Sequence, residues 1–131
     1  MKGAFTKLSL MKAPFITLAA AAAGCGVLLF VNPNNPDSLL PRCPFNWLTG
    51  WDCPACGSTR MVHALLHGDF AAAWDFNAVM LVAGLPMLAW LWLRWANAAR
   101  KGEKPRPVPR RLGSVVLGVG LTWMLVRNLV L

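Results

Sequence analysis

Three long apolar stretches constrain this chain more than any other feature of its sequence. Residues 13–31 and 76–93 contain no charged side chain, and residues 112–131 contain one, Arg127. A bilayer core about 30 Å thick is crossed by roughly 20 helical residues, with about 17 as the lower limit. Each stretch is therefore long enough to span a membrane. The alternative is a soluble helical bundle, but helices without charge have almost no polar face for water.

Charge is unevenly distributed along the chain, and this predicts an orientation. The formal net charge is +8. Three lysines precede the first stretch and seven basic residues lie at 94–111, whereas residues 32–76 contain two basic and four acidic side chains. Basic flanks are retained in the cytoplasm. We therefore expect the N-terminus and the basic loop in the cytoplasm, and the cysteine-containing loop and the C-terminus outside it.

The same distribution bears on the partners of the chain. Because most of the basic residues flank apolar stretches, the net charge does not favour a nucleic-acid partner. The predicted partners are the lipid bilayer and, at the 94–111 loop, anionic lipid, since each Lys or Arg near a membrane surface contributes about 1 kcal/mol. An Ala-Gly-Cys sequence ending at Cys25 resembles a lipoprotein processing site. The apolar run continues to Val31, however, which favours an uncleaved first span.

The predicted fold class is an all-α membrane protein. It has three transmembrane helices, an extracytoplasmic Cys-rich loop and a short interfacial helix. The expected segments of this single membrane domain are a first span at about 13–31, the loop and short helix at about 32–68, a second span at about 69–96, a basic cytoplasmic linker at about 97–111 and a third span at about 112–131.

Local signals define the short helix and the start of the second span. We expect Ser58 to cap the N-terminus of the short helix and Gly68 to end it. Asp69 is expected to cap the next helix, and Pro86 to kink it. The predicted apolar face of the short helix consists of Met61, Val62, Leu65 and Leu66, and the opposite face of Arg60, His63, Ala64 and His67.

A Cys-Pro-Ala-Cys motif at 53–56 is the strongest candidate for chemistry, and three interpretations compete. The first is a metal site. Two cysteines separated by two residues can bind one tetrahedral zinc ion, and His63 and His67 would complete a Cys₂His₂ set with Cys53 and Cys56. The gap between Cys56 and His63 is short for a zinc finger. Zinc is a candidate cofactor on this interpretation, and the sequence predicts no other.

The second and third interpretations involve Cys43, ten residues before the motif. Cys56 precedes a predicted helix N-terminus, which favours the thiolate, so a Cys53–Cys56 pair resolved by Cys43 is a candidate redox site. Alternatively, Cys43 bonds Cys53 or Cys56 and staples a loop that has little core of its own. We take this staple as the default.

The motif region resembles a family of small bacterial membrane proteins of unknown function. The family pattern is CPxCGxTR, then LHGD, then Ala and Asn, and it matches at about residues 43–88. The resemblance implies no activity, but it implies one site. Its residues are Cys43, Cys53, Cys56, Gly57, Thr59, Arg60, His67, Gly68, Asp69 and Asn77. His63 lies outside the pattern. The resemblance also implies a bacterial protein, so we expect multi-pass insertion in the inner (cytoplasmic) membrane.

Several contacts and a function are expected from these positions. Arg60 and Asp69 bracket the short helix and are expected to pair, and Asn77 to bond the loop backbone. Arg127 is expected to snorkel to the interface or to pair with Asp75 or Asp69. Small-residue faces on two spans favour an accessory or assembly subunit that packs against partner subunits of a larger membrane complex. The alternative is a membrane-tethered thiol–disulfide oxidoreductase or zinc site.

The predicted orientation can be tested by labelling. A membrane-impermeant thiol reagent applied to intact, reduced cells should modify the cysteines of the 43–56 loop, because the charge pattern places that loop outside the cytoplasm. Mass spectrometry of the purified chain gives the extent of labelling. Modification that occurs only after cell lysis would show that the loop faces the cytoplasm, the opposite of the predicted orientation.

Overall fold

The computed structural model describes residues 2–35, 37, 38, 40 and 43–130, and for residues 2–11 the backbone alone. Pro36 and Arg42 of the loop and Leu131 of the third span lie outside this description. All regular elements in the described part of the chain are helical, as expected. They are α1 (Lys2–Phe30), α2 (Pro44–Thr49), α3 (Ser58–Leu66), α4 (Phe70–Val79), a π-helical segment (Met80–Gly84), α5 (Leu85–Lys101) and α6 (Arg110–Leu129).

Three helical stretches are long and apolar enough to cross a membrane, which confirms the prediction of three such helices. They are Lys12–Phe30, Phe70–Lys101 and Arg110–Leu129. The second runs five residues beyond the predicted end at 96, because residues 97–101 continue the helix to a left-handed Gly102 (φ 68°). Gly102 donates its backbone N–H to the carbonyls of Ala98 and Ala99 and so ends the helix.

The second long helix is irregular in its first half. At Asn77 the backbone leaves helical geometry (φ −164°, ψ 83°). A regular helix would pair the Met80 N–H with the carbonyl of Phe76, four residues earlier. Here the Met80 N–H donates to the side-chain Oδ1 of Asn77 at 3.0 Å. The π-helical segment follows, and it ends just before Pro86, whose missing N–H and ring are poorly tolerated inside an α-helix. The expected kink is thus a longer disturbance that begins nine residues before the proline.

The short helix α3 docks on α4 through one methionine and two alanines. Met61 is fully buried, and Ala64 and Ala73 are 6% and 0% exposed. Ala64 was expected on the polar face, and Leu66 on the apolar face, but Leu66 is 36% exposed. The prediction was wrong here because paired alanines allow the close approach of two helices, so the contact face is rotated toward Ala64.

The C-terminal end of α1 packs against α3, and an earlier part of α1 packs against α5. The Nδ1 of His63 on α3 lies 2.6 Å from the carbonyl of Leu28, and the indole of Trp92 on α5 donates to Thr17 at 3.4 Å. The cysteine loop and the basic linker therefore lie at opposite ends of the helices. Arg94 draws the linker toward α5 by donating to the carbonyls of Arg106 and Pro107. Which compartment each end faces stays a prediction from charge.

Replacing Asn77 tests how far the fold depends on this side chain. In Asn77→Ala the carbonyls of Pro54 and Cys56 lose the Asn77 amide as a donor, and the Met80 N–H loses its side-chain acceptor. Leaving a buried backbone group unpaired costs about 1–3 kcal/mol. We expect a clear fall in the thermal unfolding midpoint in detergent. The control is Asn97→Ala, an exposed asparagine on the same long helix. Equal midpoints for the two variants would contradict this account.

Candidate functional site: a three-thiol cluster

The helix α2 and the turn after it bring Cys43 back to the Cys-Pro-Ala-Cys motif. Cys43 precedes α2 in extended conformation (φ −60°, ψ 119°), and Pro44 occupies the first helical turn, where its missing N–H costs little. The helix ends at Gly50, which is left-handed (φ 73°). Asn46 also donates to the Asp52 carboxylate at 3.1 Å, which closes the turn. The chain therefore reverses its direction within the ten residues that separate Cys43 from Cys53.

Three sulfur atoms meet in this loop. The Sγ of Cys53 is 2.8 Å from that of Cys56 and 3.5 Å from that of Cys43. All three lie within 4.8 Å of one another, and they are reduced thiols. The Cys53 Sγ is the central atom of the cluster. The backbone N–H of Cys53 also donates to the Cys56 sulfur at 3.1 Å. Among the described residues this is the single group of three or more metal-capable side chains.

The second long helix holds the motif through Asn77. The fully buried amide of Asn77 donates to the carbonyls of Pro54 (3.0 Å) and Cys56 (3.2 Å). Its oxygen accepts the Met80 N–H, so the whole amide group is used. The break in the backbone at Asn77 is therefore what turns this side chain toward the loop.

The end of α6 holds the same loop from the other side. Arg127 donates to the Cys56 carbonyl at 2.5 Å and pairs with the Asp52 carboxylate at 3.2 Å. Asn128 accepts the Asp52 N–H at 2.8 Å and donates to the Asp52 carbonyl at 2.9 Å. Arg127 was expected to snorkel or to pair with Asp75 or Asp69, so its partner was predicted wrongly. Asp52 and Asn128 were missed as site residues, although two polar side chains ending an apolar span were a usable signal.

Gly57 permits the close approach of the loop to the broken helix. Its φ is +86°, and a Cβ there would lie 2.5 Å from the Phe76 carbonyl oxygen. Gly57, and not Ser58, is the N-cap residue of α3. The Ser58 hydroxyl is buried and has no hydrogen-bond partner among the described residues. The capping prediction failed because position 57 must be glycine in this left-handed turn.

The other predicted site residues lie around α3, and the structure does not bring them to the sulfur atoms. Asp69 caps α4, as expected, by accepting the Ala72 N–H at 2.9 Å. Arg60 is exposed and makes no ion pair with Asp69. Gly68 is left-handed (φ 77°) directly after the end of α3, as expected for a helix stop. Thr59 is exposed.

The two histidines are likewise separate from the cluster. His63 contacts α1, and the Nδ1 of His67 lies 2.8 Å from the His63 carbonyl. Neither belongs to the metal-capable group that Cys43, Cys53 and Cys56 form. The predicted Cys₂His₂ combination is therefore not assembled in this structure.

The electrostatics of the thiols differ from the expectation. Hydrogen bonding to the backbone at Asn46, followed by hydrogen bonds to the other two thiols, lowers the pKa of Cys43. Burial, followed by the neighbouring thiols, raises the pKa of Cys56 to about 12. The helix N-terminus was expected to lower the pKa of Cys56, but desolvation of this 9% exposed residue outweighs it. Cys43 is consequently more readily ionised than Cys56.

The fold and site together define a helical protein with three helices able to cross a membrane and a three-thiol loop. The model of a family described as a protein of unknown function (DUF2752) matches residues 43–92, which is less than half of the chain. The matched region holds the three cysteines, α3 and most of the second long helix. No curated protein and no solved structure matches the chain.

Limited alkylation tests the order of thiol reactivity. In the reduced protein, iodoacetamide should modify Cys43 before Cys56, because the thiolate is the nucleophile and the pKa of Cys43 is lowered while that of Cys56 is raised. Peptide mass spectrometry at low reagent dose measures the order. Preferential modification of Cys56 would contradict the assignment.

Proposed function

We propose that this chain is a small integral membrane protein whose cysteine cluster carries out thiol–disulfide exchange on the extracytoplasmic face. One observation carries the proposal: the Cys53 sulfur lies within 3.5 Å of two other thiols. A structural staple needs one partner for each sulfur. A central sulfur with two candidate partners is what exchange requires, since the attacking thiolate must reach a sulfur that is already bonded to another.

The exchange is redox-neutral within the chain. The Cys43 thiolate attacks the Cys53 sulfur of a Cys53–Cys56 disulfide, a Cys43–Cys53 bond forms, and Cys56 leaves and takes up a proton. Net oxidation or reduction requires a second protein that exchanges its own disulfide or dithiol with Cys43, the thiol whose pKa is lowered. An oxidising compartment, as the charge pattern predicts for this loop, is where such bonds persist.

The pH dependence of this exchange has a defined sign. The isomer with a Cys53–Cys56 bond has a free Cys43 thiolate, and the isomer with a Cys43–Cys53 bond has a protonated Cys56 thiol. Backbone hydrogen bonding at Asn46 lowers the pKa of Cys43 and burial raises the pKa of Cys56, so between the two pKa values the second isomer holds one more proton. Raising the pH by one unit within that window should therefore favour the Cys53–Cys56 bond by up to about tenfold. Acid quenching and non-reducing peptide mapping measure the ratio; the opposite trend would refute it.

Serine variants separate exchange from a staple. Exchange predicts that Cys43→Ser and Cys56→Ser each still form a disulfide with Cys53, whereas a staple predicts that one of the two loses it. Cys53→Ser should reduce disulfide formation most, because the central sulfur is removed. Cys25→Ser is the matched control, since Cys25 lies in α1 and outside the cluster. Oxidation is read by thiol counting of protein isolated under acid.

Zinc binding by the same thiols is the alternative chemistry. Three sulfur ligands are present, but no His, Asp or Glu among the described residues joins them as a fourth. Two sulfurs at about 2.3 Å from a tetrahedral ion are about 3.8 Å apart. The Cys43–Cys53 separation of 3.5 Å is close to this value, and the Cys53–Cys56 separation of 2.8 Å is shorter. A measured content of about one zinc ion per chain that is lost in Cys56→Ser would show that the thiols bind the metal.

A second candidate function is that of an accessory or assembly subunit in a larger membrane complex. It is supported by the exposure of α6, which has no buried residue, and by an apolar crevice of about 440 Å³ between α6 and the second long helix. Residues that line the crevice include Pro54, Met87, Leu112 and Gly120. Partner helices or lipid would cover these surfaces. Purification in mild detergent at native expression should then yield a complex larger than the chain, and a monomer would exclude this role.

A further inference from the structure

A pair of imidazole rings lies outside the cysteine cluster and has a defined arrangement. His63 and His67 are four residues apart at the C-terminal end of α3, so they project from the same side of the helix. Their ring centroids are 4.3 Å apart with planes inclined at 43°. His67 is exposed and His63 is half-buried, so solvent reaches the pair.

Hydrogen bonds to backbone carbonyls fix the tautomer of both rings. The Nδ1 of His63 lies 2.6 Å from the Leu28 carbonyl, and the Nδ1 of His67 lies 2.8 Å from the His63 carbonyl. A carbonyl oxygen only accepts hydrogen bonds, so both Nδ1 atoms carry the proton. In the neutral rings the lone pair is therefore on Nε2. Neither Nε2 has a hydrogen-bond partner among the described residues.

The acceptor of the first bond explains why His63 is held so firmly. Leu28 lies in the last turn of α1, where carbonyl groups have no partner within the helix. His63 satisfies one of them and ties α3 to the end of α1. Histidines that bind metals through one nitrogen commonly donate the other N–H to a backbone carbonyl, which orients the ring. Both rings of this pair already have that support.

We propose that the Nε2 atoms of His63 and His67 form a binding site for a divalent transition-metal ion of the Zn²⁺ or Ni²⁺ type. Imidazole nitrogen suits these ions better than Mg²⁺ or Ca²⁺, which prefer oxygen ligands. Water completes the coordination, because two protein ligands leave the other positions open. Binding strengthens the Nδ1–H as a donor, so the ion also stabilises the contact between α3 and Leu28. The site is independent of the thiol exchange.

Two variants test the site without depending on loss of the fold. The amide nitrogen of asparagine replaces the Nδ1 donor of histidine but offers nothing at Nε2. His63→Asn should therefore keep the bond to Leu28, leaving the metal-free unfolding midpoint close to that of the wild type, and should lower Ni²⁺ affinity at least about tenfold. His67→Asn should do the same. The chain has no other histidine, so in a protein with its purification tag removed any imidazole ligand comes from this pair.

The measurement is calorimetric titration of the full-length protein in detergent with Ni²⁺, which binds imidazole readily. Titration of Cys43→Ser/Cys53→Ser/Cys56→Ser serves as the control and should give the affinity of the wild type. Affinity that survives in His63→Asn and His67→Asn overturns the proposal. Affinity that disappears in the cysteine variant also overturns it, because the ion would then be held by the thiols.

Discussion

The break in the backbone at Asn77 is the constraint on which the site depends. A regular helix would use the Phe76 carbonyl and the Met80 N–H for each other. With the break, the side-chain oxygen replaces the Phe76 carbonyl, and the side-chain nitrogen is free to hold two carbonyls of the cysteine motif. One side-chain amide thus forms hydrogen bonds with backbone groups of both the helix and the loop. In an apolar environment, where unpaired backbone groups are expensive, this is an economical way to attach a loop to a span.

The second anchor of the loop is polar as well. Arg127 and Asn128 reach from α6 to the backbone and carboxylate of Asp52 and to the Cys56 carbonyl. Because the loop is held at these points, its sulfur atoms are positioned by hydrogen bonds and not by a core of apolar side chains. The thiols then differ by their surroundings: Cys43 is stabilised as a thiolate by the backbone near Asn46, while burial keeps Cys56 protonated. The thiols of the cluster therefore differ in how easily they ionise: Cys43 loses its proton more easily than Cys56.

The helical fold could be predicted from the sequence because hydrophobic length and charge are enough to define spans. The cap of α4 by Asp69 and the bond from Asn77 to the loop also followed from local position. Features that depend on contacts between distant segments did not. Ser58 has the right chemistry for a cap, but the left-handed turn at Gly57 displaced it. The pKa of Cys56 was expected to fall, since sequence shows the nearby helix end but not the burial that opposes it. Asp52 gave no sign of its partner because Arg127 lies 75 residues away.

The attachment of α6 to the cysteine loop has a mechanical consequence. A helix of 20 residues is about 30 Å long and stiff, and its far end follows a proline-containing linker with no helical hydrogen bonds. Its C-terminal end is bonded to Asp52 and Cys56, which lie on either side of Cys53 in the chain. The end of this rod and the three sulfur atoms therefore share one set of hydrogen bonds, and a displacement of either would act on the other.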